Sequence, residues 1–286
     1  MNLFPQPHTG SDITNFVAAQ DGTQIFYRDI GSGRPIVLSH GWPLNSDAWD
    51  PQMQFLADAG FRVVAYDRRG HGRSDQPPGG YDMDTFADDL AAVMQALDLR
   101  DAVLVGHSMG GGEVVRYVTR HGTDRVSKLV LLGAITPLMG AIDGHPEGVP
   151  RAVADGVKQA VLDNRSQLYL DFPTAFFAMG QGDVPHNAGW QMAFWQQGMS
   201  GALHAQLACV DQFWGTDFRA EMASITLPTL VVHGSGDDIV PLDTTARRAV
   251  EILPNATLVV YEGASHGFPV THRDRLNADL AAFAYV

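Results

Sequence analysis

A serine, a histidine and a pair of acids, each just after an apolar run, are the residues in this chain best placed to do chemistry. Ser108 stands at the apex of Gly106-His-Ser-Met-Gly110, directly after the apolar run 102–105. A G-x-S-x-G turn between strand and helix holds a serine hydroxyl clear of the backbone, where it can attack an acyl carbon. Serine is a weak nucleophile near neutral pH and needs a base to take its proton. His266, in Gly263-Ala-Ser-His-Gly-Phe268 after the last apolar run, is the candidate, since imidazole titrates near the working pH. The base needs a carboxylate to fix its tautomer, and His233-Gly-Ser-Gly-Asp-Asp-Ile-Val-Pro241 offers both Asp237 and Asp238.

Attack on an acyl group creates an oxyanion, which needs N–H donors aimed at it. One is expected from the Met109 backbone, at the start of the helix after the turn, where the helix dipole also favours negative charge. The other is expected from the Trp42 backbone in His40-Gly-Trp-Pro-Leu44. Pro43 has no N–H to give; its ring stiffens the loop and its carbonyl stays free as an acceptor near the site.

The remaining histidines read as structural. His40 and His233 end strands before a glycine and are expected to be packed, and His107 should turn its ring away from the Ser108 hydroxyl. His71, His121, His145, His186, His204 and His272 fall in loops or on helices, most of them expected to be solvated. No pair has the spacing of a metal site, so no metal is expected. Cys209, the single cysteine, lies in Leu207-Ala-Cys-Val210 and reads as a core thiol.

These groups need a sheet to bring them together. Segments 16–19 and 24–29 read as a hairpin across Asp21-Gly22, and 35–39, 61–66, 102–105, 128–133, 229–233 and 257–261 as further strands. Helices are expected over 47–59, capped by Asn45 or Ser46, and over 84–97, 113–121, 244–252 and 273–284. Alternation of this kind implies a mostly parallel, doubly wound α/β sheet, with ligands at the carboxyl ends of its strands. Between about 137 and 215 strand signals stop and large apolar residues accumulate, so that stretch reads as a helical insertion.

The chain has 286 residues, 45% of them hydrophobic and 18% charged, with a net charge of −13. It is long enough for a sizeable core. The acidic balance argues against nucleic acid and anionic membranes as partners. The N-terminal residues carry neither a basic nor an apolar signal region, so a cytoplasmic protein with a flexible leader is expected.

Taken together, His40-Gly-Trp-Pro-Leu44, the run Tyr66-Asp-Arg-Arg-Gly-His-Gly-Arg-Ser-Asp-Gln-Pro77, Gly106-His-Ser-Met-Gly-Gly-Gly112 and the His-Gly pairs at 233 and 266 form a specific combination. The chain resembles the cofactor-free bacterial haloperoxidases, or perhydrolases, and the similar arylesterases of the α/β-hydrolase fold. The resemblance runs from about residue 16 to the carboxyl end. It implies an α/β-hydrolase core over 16–136 and 216–286, a helical cap over 137–215 and a leader over 1–15. It also implies hydrolysis of small aryl or activated esters through an acyl-enzyme, with water, hydrogen peroxide or an alcohol as acceptor. The family's spacing selects Asp237 over Asp238, giving Ser108, Asp237 and His266 in the order Ser…Asp…His. Pro43, Ile135, Phe213 and Ile239 are the expected substrate or peroxide contacts. Pro43 matches the perhydrolase-like members, and cyclic homo-oligomers are common among them. A lactonase or lactamase of the same fold is the alternative activity, and a non-catalytic ligand receptor is the alternative class.

Overall fold

The computed structural model describes residues 15–286, so the leader expected over 1–15 lies, but for Asn15, outside the described residues. Eight strands form one sheet in the order β1-β2-β4-β3-β5-β6-β7-β8. They are β1 (Phe16–Ala18), β2 (Gln24–Gly31), β3 (Pro35–Ser39), β4 (Arg62–Tyr66), β5 (Ala102–His107), β6 (Val126–Leu132), β7 (Thr229–Gly234) and β8 (Ala256–Tyr261). The first hairpin and the β2–β4 pair are antiparallel, and every later pairing is parallel.

Helices cover both faces. They are α1 (Asp50–Asp58), α2 (Met83–Ala96), α3 (Met109–His121), α4 (Arg151–Phe176), α5 (Ala188–Ser200), α6 (Leu203–Gly215), α7 (Arg219–Ser224), α8 (Ala246–Ile252), α9 (Phe268–Thr271) and α10 (Arg273–Tyr285). Leu104 of β5 packs among Leu90, Val93 and Val115 of α2 and α3, whereas Val103 and Val105 pack among Met53, Leu56 and Leu280 of α1 and α10. Such burial on both sides explains why every residue of β5 is buried and why its sequence runs apolar rather than alternating.

The strand order also decides what meets at the carboxyl edge. β3 lies between β4 and β5, and Ser39 pairs with Gly106, so the loop at His40–Trp42 emerges beside the turn at Ser108. Gly234 pairs with Tyr261, which puts the loops carrying Asp237 and His266 side by side.

Local departures from the sequence reading have simple causes. The helix expected over 47–59 opens as a 3₁₀ turn (Ser46–Trp49), which Asn45 caps by accepting the Asp47 N–H at 2.9 Å. The helix after the turn starts at Met109 rather than residue 113, because Gly110, Gly111 and Gly112 carry no apolar signal yet are held helical by close packing. Between β6 and β7 the chain forms α4, α5, α6 and α7. α4 is broken at Asn164, whose side-chain Oδ1 accepts the Gln167 N–H at 3.0 Å and caps the restarted helix. No helix among the described residues is long and apolar enough to cross a membrane.

Candidate active site

The turn after β5 is built by close backbone approach. A Cβ on Gly106 would fall 2.2 Å from the Gly110 carbonyl oxygen, and one on Gly110 would fall 2.3 Å from that of Ser39. Only glycine permits such contacts, and they force Ser108 into a positive φ of 55°. The Ser108 N–H donates to Leu132 at 2.9 Å, while its carbonyl accepts from Gly111 at 3.0 Å and Ile135 at 3.3 Å. The strained residue is thereby fixed from three sides.

His266 Nδ1 lies 2.7 Å from Asp237 Oδ2. Because the aspartate is ionised, Nδ1 carries the proton and Nε2 is left as an acceptor. The other carboxylate oxygen, Oδ1, accepts the N–H groups of Ile239 at 3.0 Å and Val240 at 2.9 Å, which fixes the carboxylate plane. His233 Nε2 lies 3.4 Å from Oδ2 and donates to the Val240 carbonyl at 2.8 Å. Burial alone would raise the Asp237 pKa. The charge of His266 and the hydrogen bonds from His233 and His266 outweigh it and hold the carboxyl well below the usual range. Asp238 is exposed and borders the neighbouring cavity without meeting His266.

That cavity, of about 320 Å³, is bordered by Ser108 and His266 and walled by aromatic and aliphatic side chains. Trp42, Ile135, Phe213 and Ile239 all line it, as do Phe172 and Phe176 of α4. Pro43 is buried and is not among its lining residues. Leu44 N–H closes the loop after β3 onto Gly41 O at 3.0 Å, and the Trp42 indole N–H donates to Gln206 O of α6 at 3.1 Å. Among the described residues, neither the Trp42 nor the Met109 backbone N–H has a protein acceptor.

Beneath the loop after β3 lies a charged pair that the sequence did not reveal. Arg68 and Glu113 are fully buried and 2.6 Å apart. Glu113 also accepts from Ser39 Oγ at 2.9 Å and from the Tyr66 hydroxyl, while Arg68 donates to the His40 carbonyl at 2.7 Å. A buried charge pair persists only where such further hydrogen bonds satisfy it, and here they pin the loop that carries Trp42. The available signal was the lone acid of α3, directly after the three glycines that follow Ser108 and Met109.

The histidines divide as follows. His40 and His233 are fully buried, and His107 donates through Nε2 to the His266 carbonyl at 3.1 Å, away from the serine hydroxyl. The expectation that most of the others are solvated fails for His71 and His145, which are 0% and 5% exposed. His71 is enclosed because its loop folds inward onto the Arg68 network, and burial beside Arg68 pushes it down to about 3. Cys209 is buried, which pushes its thiol up to about 12.

Residues 34–272 match the model of the family described as alpha/beta hydrolase fold. The chain is 51% identical to a non-heme haloperoxidase of Rhodococcus erythropolis, over 94% of this chain and 98% of that protein. It is 42% identical to a bifunctional esterase/perhydrolase of Acinetobacter calcoaceticus, again over 94% and 98%. Among solved structures, a bromoperoxidase from Bacillus anthracis superposes with a TM-score of 0.91 at 37% identity, covering 96% of this chain and 100% of that one. The chain therefore belongs to the alpha/beta hydrolase fold family and, within it, to the group of non-haem haloperoxidases and esterase/perhydrolases.

Proposed function

We propose that the protein is a serine esterase for small aryl or activated esters that also passes acyl groups to hydrogen peroxide. The observation that carries this reading is the His266–Asp237 pair at 2.7 Å, on a cavity that Ser108 shares and whose walls suit an apolar acyl group. As Ser108 Oγ attacks the ester carbon, His266 Nε2 takes its proton and Asp237 stabilises the resulting imidazolium. The N–H groups of Trp42 and Met109 receive the oxyanion. The ester C–O bond then breaks, and the leaving alcohol takes the proton back from His266. Water or hydrogen peroxide, deprotonated by His266, attacks the acyl-serine; the acyl–Oγ bond breaks, Ser108 takes the proton back from His266, and a carboxylic acid or a peracid leaves.

The relatives named for esterase/perhydrolase and haloperoxidase activity support the choice of acceptors. The decisive test is Ser108→Ala with p-nitrophenyl acetate. Turnover should fall by about three orders of magnitude or more, as it does when a triad nucleophile is lost. A variant keeping near-normal rates would refute the reading.

A further inference from the structure

A second apolar cavity, of about 240 Å³, lies on the far side of Phe176 from the first. Leu44 and Trp49 of the core and Phe177, Trp190 and Phe194 of the cap help to form it, and Ala193 of α5 stands at its edge. Phe176 borders both cavities. Its ring meets His266 edge-on at 5.2 Å between centroids, and Phe194 at 5.1 Å. The main chain ties the two residues further, because the Gly267 N–H donates to the Phe176 carbonyl at 2.6 Å.

This arrangement bears on one half of the substrate. The leaving alcohol must hold its oxygen near His266, which returns the proton to it. The wall that it meets on that flank is the Phe176 ring. Behind the ring is space walled mostly by aromatic and aliphatic side chains, of the right chemistry for an aromatic group, with Asp47, Asp50 and Gln197 also on its border. Resting on the esterase reading above, we propose that the second cavity is a latent pocket for the alcohol portion of bulky aryl esters, and that Phe176 is the partition closing it. Acyl size is set by the first cavity, alcohol size by Phe176.

The test compares kcat/KM for 2-naphthyl acetate and phenyl acetate, which share an acyl group and differ only in the alcohol. Phe176→Ala should raise the naphthyl-to-phenyl ratio at least tenfold, and Phe176→Leu should raise it less. Adding Ala193→Trp, which refills the second cavity from its edge, should bring the ratio in Phe176→Ala back towards that of the parent. An unchanged ratio in both Phe176 variants overturns the proposal. So does a rise that Ala193→Trp fails to reverse, since the gain would then come from a loosened first cavity. Should Phe176→Ala not fold by circular dichroism, the Phe176→Leu pair with and without Ala193→Trp decides by the same ratios. Failure of the underlying esterase reading is separate: it would appear as parent activity on phenyl acetate that survives Ser108→Ala.

Discussion

The rings of His107 and His266 lie 4.8 Å apart at 36° to each other, and His107 Nε2 donates to the His266 carbonyl at 3.1 Å. A residue next to Ser108 in sequence thus supports His266, the proposed base, from behind. Its proton must sit on Nε2, because a carbonyl can only accept. Burial and the nearby charge of His266 push the His107 pKa down to about 3, so it stays neutral as His266 cycles. His107→Ala should lower kcat by roughly ten- to a hundredfold with little change in KM, because a small displacement of the base costs about that much. His107→Gln, which keeps a donor, should recover part of the loss. Equal kcat in the parent and in His107→Ala would show that His266 holds its place unaided.

Asp237 and Asp238 make the sharpest pairwise comparison. Asp237→Asn keeps the shape but removes the charge that stabilises the imidazolium, and should lower kcat by about four orders of magnitude. Asp238, exposed and without contact to His266, should tolerate the same change with activity close to the parent's. Greater damage at Asp238 would reverse the assignment.

The buried histidines make folding acid-sensitive. Burial and neighbouring positive charge hold His71 and His107 at about 3, and His40 well below its ordinary value. In the unfolded chain each returns to about 6.5. Between those limits the unfolded state binds more protons, so stability is full above about pH 6.5 and is lost as pH falls toward 3. The slope is about 1.4 kcal/mol per pH unit for each histidine. Asp89, raised to about 6 by burial, acts in the opposite direction, one group against three. The urea midpoint should therefore be clearly lower at pH 5 than at pH 7, and equal midpoints would contradict neutral burial of these rings.

How far the sequence could be read follows from what each signal measures. Apolar runs report burial on both faces, so β3, β5 and β7 were legible nearly to the residue. Ser108 and His266 stood out because each follows such a run, whereas the run before Asp237 offers Asp238 equally and only the family's spacing singles out the acid that meets His266. Glu113 and Arg68 were not, because charged residues read as surface until tertiary contacts enclose them, and theirs come from Ser39, His40 and Tyr66 on other elements. The cap resisted for a different reason. Phe172, Phe176, Phe177, Trp190 and Phe194 pack against the core, against one another and around two cavities, so no single helical stripe reveals which face is which.

Pro43 supplies a test of acceptor choice that leaves the ester half of the reaction intact. It follows Trp42 within the turn closed by Leu44 N–H on Gly41 O. Its own carbonyl accepts no protein hydrogen bond among the described residues. Hydrogen peroxide attacking the acyl-serine has one proton for His266 and a second, on the distal oxygen, that water does not present in the same place. A free carbonyl in the Trp42 loop can accept a hydrogen bond from that second O–H, and the proline ring holds its direction by fixing φ. Leucine at 43 restores an N–H and frees φ, so the carbonyl is no longer held. Pro43→Leu should therefore lower the ratio of peracid formation to ester hydrolysis, with acetyl ester and peroxide as substrates, while hydrolysis in water changes less. A general loss of both rates would point to collapse of the Trp42 loop instead. An unchanged ratio would remove Pro43 from the acceptor step altogether.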